Sequence, residues 1–219
     1  TTVTPLERNR VAINFNIDEG AAAKIKQINF VGAKSFKEKD LQALFQLSTT
    51  GWLSWYSKDD QYSRQKLSAD LESLRSYYLN RGFLEFNIDS TQVSISPDKK
   101  DIYITVGISE GERYVVSSVK LAGDLILPEE EFRKSMQIKA GDVFSREKLN
   151  ESTKAISDKL SAKGYAFANV NAAPEVDKET RQVAFTVFVD PGKRAYVRRI
   201  NITGHRKTRD EDVRQEMRQ

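Results

Sequence analysis

Hydrophobic and polar residues alternate strictly in three stretches of this chain: Val11, Ile13, Phe15 and Ile17; Ile102, Ile104, Val106 and Ile108; and Val183, Phe185, Val187 and Val189. A period of two puts the four apolar side chains of each stretch on one face, so each is predicted to be a half-buried β-strand. The turns that follow are Asp18-Glu19-Gly20, Ser109-Glu110-Gly111 and Asp190-Pro191-Gly192. A second short strand then carries Ile28 and Phe30, Val119 and Leu121, or Ile200 and Ile202, and closes on Gly32, Gly123 or Gly204. This is an internal repeat. Its closing glycines lie 91 and then 81 residues apart, so each copy marks the junction where one module ends and the next begins.

Between the copies the apolar period lengthens to that of a helix. After Gly32, Ser35 with Glu38 three residues on has the spacing of a capping box, which predicts a short helix with Leu41, Leu44 and Phe45 on one face. Ser63 is expected to cap a longer helix with Leu67, Leu71, Leu74 and Tyr78 on its buried face, ended by Gly82. Leu84 to Ile95 and Ile102 to Ile108 then read as a hairpin. The second module repeats the order: Pro128 opens a short helix, and Ser145 caps a long one with Leu149, Thr153, Ile156 and Leu160. Tyr165 to Ala172 pairs with Val183 to Val189. Each module is strand, helix, helix, strand, strand, which predicts a two-layer α+β sandwich. The predicted limits are 1–21 for the closing hairpin of a preceding module, 22–111 and 112–192 for two complete modules, and 193–219 for the start of another. Hinges are expected at Gly111-Glu112 and Gly192-Lys193, where almost no linker separates the strands.

Composition narrows the function. The chain has 219 residues, 39% of them hydrophobic and 30% charged, with a net charge of +4. Lysine and arginine are interspersed with acidic residues, as on a mixed solvated surface, so nucleic acid is not an expected partner. No window approaches the roughly 20 apolar residues of a membrane helix. The chain opens at Thr1 within a predicted hairpin and stops at Gln219 within a charged helical segment. It is therefore expected to be a section of a longer array, and the lack of a signal segment says little about compartment. With one histidine, His205, and no cysteine, the usual zinc and Cys-His sites are excluded. No nucleophile elbow, phosphate loop or EF-hand loop occurs, so no enzyme activity, cofactor or metal is expected.

The tandem modules, the glycine-closed first strand and the helix ending Leu-Arg-Ser-Tyr-Tyr-Leu-Asn-Arg-Gly (74–82) resemble the polypeptide-transport-associated (POTRA) domains of outer-membrane protein assembly factors. Asn87 to Ser94, Lys159 to Tyr165 and Tyr196 to Ile200 carry the same likeness. The resemblance covers the whole chain, as the end of a second POTRA, all of a third and fourth, and the start of a fifth. It implies a three-stranded mixed sheet covered on one face by two antiparallel helices, with the second strand of each module at an edge. It also implies a periplasmic location, a membrane β-barrel beyond Gln219, and binding in place of catalysis. The implied partners are unfolded outer-membrane proteins and the accessory lipoproteins of that machinery. An array from an autotransporter-assembly or two-partner secretion protein is the nearest alternative. A tandem KH-like RNA-binding protein is more remote, because the helix–helix links lack the Gly-x-x-Gly that would clamp a nucleic-acid backbone.

Two features single out candidate residues. The link between the first module's helices is nine residues longer than in the second and carries Trp52, Trp55 and Tyr56, which suit either a local cap or a docking patch. The second strand of the first module changes parity: Leu84, Phe86 and Ile88 share one, Val93 and Ile95 the other, whereas Ala168, Val170, Ala172 and Val176 keep a single parity. From helix-end glycine to turn glycine the first module has 29 residues and the second 28, so either a β-bulge near Asp89-Ser90 or a longer turn at Pro97 is expected, and the parity change favours the bulge. With the edge the resemblance implies, Asn87, Asp89, Ser90, Thr91, Gln92, Val93 and Ser94 are the candidate residues for pairing with an extended client. Proline at Gln92 or Ser94 is expected to remove an outward donor.

Overall fold

The computed structural model describes residues 2–6, 10–14, 24–48 and 61–198. An antiparallel hairpin of β1 (Thr2–Leu6) and β2 (Arg10–Asn14) comes first. There follow β3 (Lys24–Val31), α1 (Glu38–Gln42), a 3-10 turn at Gln46–Ser48, α2 (Gln61–Leu79), β4 (Asn87–Ile95) and β5 (Asp101–Ser109). The order then recurs as β6 (Val115–Gly123), α3 (Glu129–Arg133), α4 (Arg146–Ala162), β7 (Asn169–Asp177) and β8 (Gln182–Asp190). Two three-stranded sheets result, β3-β5-β4 and β6-β8-β7, so the last strand of each repeat is central and the second is at an edge. In the first sheet β3 runs parallel to β5 and β4 antiparallel to it. Cα packing groups the chain into two compact units, of which the first comprises Thr1–Val116, Gly141–Glu147 and Val176–Val183. Among the described residues no helix is long and apolar enough to cross a membrane.

The alternation on β5 settles the first core. Ile102, Ile104 and Val106 are fully buried and Ile108 nearly so, while the residues between them are half-buried. Burying each of these side chains contributes about 1.5–3 kcal/mol. From α2, Leu74 and Tyr78 enter the same cluster completely, with Leu67 and Leu71 packed at its margin. Tyr78 stacks on Phe86 with ring centroids 4.3 Å apart. In the second repeat Ile156 and Leu160 of α4 and Val183, Phe185, Val187 and Val189 of β8 are likewise buried.

The repeated glycines have a steric cause. Gly32 adopts φ +95°, and a Cβ there would sit 2.2 Å from the Ile108 carbonyl oxygen; Gly123 adopts φ +92°, with the Val189 carbonyl oxygen at 2.3 Å. Each first strand can close against the central strand only where no side chain intervenes.

Several expected boundaries move. Ser35 does not cap α1, whose N-cap is Lys37 with no side-chain hydrogen bond; its hydroxyl donates to Glu110 Oε2 at 2.7 Å. α2 begins at Gln61, two residues before Ser63. Leu84 lies in a turn, with β4 starting only at Asn87, and Tyr165 precedes β7, which runs on through Pro174 to Asp177. Phe83 and Phe86 are buried beside the helix end, which draws the chain out of the sheet there and delays the strand.

Candidate functional site: the free edge of the first sheet

Among the described residues β4 pairs with β5 on one side only. Its register runs Ile88↔Ile108 and then Ser90↔Gly107, so Asp89 is an extra residue and the strand bulges where the parity change requires it. Ile88 is half-buried, Asp89 and Ser90 are both exposed, and Thr91 and Val93 are again half-buried. One inserted residue thus lets both halves of the strand face the core.

Polar contacts pin the bulge. Asn87 Nδ2 donates to Asp89 Oδ1 at 2.8 Å and Ser109 Oγ donates to Asp89 Oδ2 at 2.5 Å. The Ser109 hydroxyl, then the Asn87 amide, hold the Asp89 carboxyl below the usual carboxylate range. Opposite the bulge, a Cβ on Gly107 would meet Ser90 Oγ at 2.5 Å, so glycine leaves the space that the Ser90 side chain occupies.

The register also fixes which backbone groups are free. At the hairpin end the Ser96 amide donates to the Asp101 carbonyl at 2.9 Å, so this pair faces inward to the ladder. In an antiparallel pair such residues recur at every second position. The backbone groups of Ser94, opposite Tyr103, and Gln92, opposite Thr105, therefore also point at β5, and those of Thr91, Val93 and Ile95 point out of the sheet. The expectation that Gln92 and Ser94 supply the outward donors is corrected: parity counts faces, and only pairing shows which side a strand's amides take.

The remaining candidates are distributed. Trp52, Trp55 and Tyr56 lie outside the described residues. Gly111 and Gly192 have φ of +69° and +65°, and Glu112 pairs with Arg181 at 3.4 Å within the first unit. Lys193 is exposed. Glu110 is a buried residue that the sequence marks only as part of a turn. Its Oε1 accepts from the amides of Lys34 at 2.8 Å and Ser35 at 3.0 Å and from the Tyr78 hydroxyl at 2.8 Å. Burial raises its pKa, and these donors, with the Ser35 hydroxyl, outweigh burial and hold it below the usual range. The signal that could have found it is comparative: the matching positions are Glu19 and Pro191, so the acid is no requirement of the turn.

A sandwich of this topology, repeated in tandem with its second strand at an edge, defines a modular α+β array. The POTRA family, described as a surface antigen variable number repeat, matches residues 23–111 and 114–192, and the chain belongs to it. The chain is 34% identical over 218 residues to the outer membrane protein assembly factor BamA of Neisseria meningitidis serogroup B, covering 99% of this chain and 27% of that one. It is 31% identical over 214 residues to BamA of Buchnera aphidicola, covering 97% and 34%. The chain thus spans about a third or less of the length of these curated relatives. A crystal structure of Haemophilus influenzae BamA POTRA3-5 superposes with a TM-score of 0.78 at 30% identity, over 93% of this chain and 80% of that one.

Proposed function

We propose that this chain is part of the periplasmic scaffold of the β-barrel assembly machinery and holds unfolded outer-membrane proteins by adding them as a strand to the edge of β4. The observation that carries the reading is the row of outward backbone groups at Thr91, Val93 and Ile95 beyond a pinned bulge. Hydrogen bonds from the main chain recognise extended segments with little regard to sequence, as a scaffold serving many clients needs. The names of the BamA relatives support the assembly role, and scaffolding of this kind requires binding and no catalysis. In this reading residues 1–21 end one module, 22–111 and 112–192 are complete modules, and 193–219 begin the next. Lipoproteins of the Bam complex are further partners, with Trp52, Trp55 and Tyr56 as their docking aromatics and the Gly111-Glu112 and Gly192-Lys193 junctions as hinges.

A photo-crosslinking residue at Gln92, which is exposed on β4, tests the edge in the full-length protein. Adducts with unfolded outer-membrane protein segments are expected, and Thr91→Pro is expected to abolish them while the protein stays folded. Undiminished adducts in folded Thr91→Pro would rule out strand addition at this edge.

A further inference from the structure

The opposite edge of the same sheet presents a cleft of different chemistry. Among the described residues β3 is unpaired on its outer side, and beside it α1 borders a cleft of about 300 Å3. Ile25, Ile28 and Ala43 give the cleft apolar surface, and Lys26 and Lys39 give it two exposed ammonium groups. Among the described residues no carboxylate lines it, and the nearest, Glu38 at its rim, accepts from Gln42 Nε2 at 3.4 Å. Elsewhere Lys154 and Lys178 lie 2.7 and 3.1 Å from carboxylates of Asp158 and Glu85, but neither Lys26 nor Lys39 has an ion pair among the described residues.

The backbone of β3 is shaped for the same purpose. Its register with β5 passes from Ile25↔Ile102 directly to Gln27↔Tyr103, so Lys26 is an extra, bulged residue whose backbone is released from the ladder. Bulges of this kind re-aim a side chain. The Ile28 carbonyl points away from β5, since Gln42 Nε2 of α1 donates to it at 2.9 Å, where the amide of a neighbouring strand would otherwise donate. One acceptor of the edge is therefore occupied by a side chain that can rotate aside.

We propose that the cleft between β3 and α1 is a second docking site, for a short extended segment of a partner protein that carries acidic side chains. The apolar surface takes a small aliphatic side chain, the two ammonium groups take carboxylates on either side of it, and the edge backbone takes the segment's main chain. This site does not depend on client binding at β4.

Fluorescence anisotropy of the 219-residue chain with a short labelled peptide alternating glutamate and valine tests it, against the same peptide with lysine for glutamate. The acidic peptide is expected to bind and the basic one not, with affinity falling steeply toward about 0.5 M sodium chloride, where the screening length is only a few ångströms. Lys26→Glu with Lys39→Glu is expected to weaken binding at least about tenfold, because both attractive contacts become repulsive. Ala43→Trp, which fills the cleft without changing charge, is expected to weaken it as well, and Thr91→Pro to leave it unchanged. Equal binding of both peptides, undiminished binding in the charge-reversed or Ala43→Trp variant, loss in Thr91→Pro, or tighter binding of a single-stranded oligonucleotide than of the peptide would each overturn the proposal.

Discussion

The hydroxyl of Tyr78 donates to Glu110 Oε1 at 2.8 Å, which joins the end of α2 to the turn after β5. Tyr78 is fully buried and Glu110 nearly so. Burial, and then the neighbouring carboxylate, push the Tyr78 hydroxyl well above the ordinary phenol range, so it is a donor at neutral and acid pH. The carboxylate is the member of the pair that titrates within reach.

Because the folded Glu110 carboxyl is held below its unfolded value of roughly 4.3, its contribution to stability is fully present above that value. It is lost as pH falls through the lower, folded value. Melting temperature measured from about pH 7 down to about pH 3 is expected to drop at the acid end, and Glu110→Gln to flatten that drop. Glu110→Gln also loses charge-assisted bonds from Lys34, Ser35 and Tyr78, and should cost about 2–3 kcal/mol near neutral pH by chemical denaturation.

Deletion of Asp89 makes the pairs Ile88↔Ile108 and Ser90↔Gly107 consecutive, with side chains alternating regularly along the whole of β4. The fold is expected to survive with a change of about 1 kcal/mol or less, since the hydrogen bonds that Asp89 accepts from Asn87 and Ser109 are exposed to solvent. A longer, flatter edge without its inserted charge should self-associate. Sedimentation velocity is expected to show concentration-dependent dimers in the deletion and monomers in the parent chain.

Proline at Thr91 and proline at Gln92 should differ in kind. Thr91 faces its amide outward, so Thr91→Pro removes no ladder bond and should cost about 1 kcal/mol or less. Gln92 faces β5 opposite Thr105, so Gln92→Pro breaks the ladder and should cost about 3 kcal/mol. Urea denaturation of the two variants checks the order, and equal losses would contradict the facing deduced for the strand.

Asp70 is buried in α2 and accepts from the amides of Gln46 at 3.0 Å and Leu47 at 3.1 Å. Ser152, 82 positions later, plays the same part in the second module by accepting from the Gln137 amide at 2.7 Å. Asp70→Ala leaves two amides without their acceptor and should destabilise by about 2–3 kcal/mol, with faster hydrogen exchange at Gln46 and Leu47 as the local sign.

The order of residues alone is enough for the repeat, the α+β class, the buried face of each central strand and the need for an extra residue between Ile88 and the turn, which the pairing register places at Asp89. All four depend on local periods, which need no knowledge of distant partners. Ile102 through Ile108 can bury one face in only one way, and a change of parity between Ile88 and Val93 demands an extra residue wherever the strand pairs. Family resemblance supplied the strand order, which no period encodes. That Ser35 serves Glu110 and leaves α1 uncapped required the folded chain, because its partner lies 75 residues away and competes with the local cap. The outward set of Thr91, Val93 and Ile95 required it too, since the direction of an amide follows from pairing with β5 and not from hydrophobicity. So did the cleft shared by Lys26 and Lys39, because β3 and α1 are separated by a turn whose path depends on Gly32 closing against Ile108.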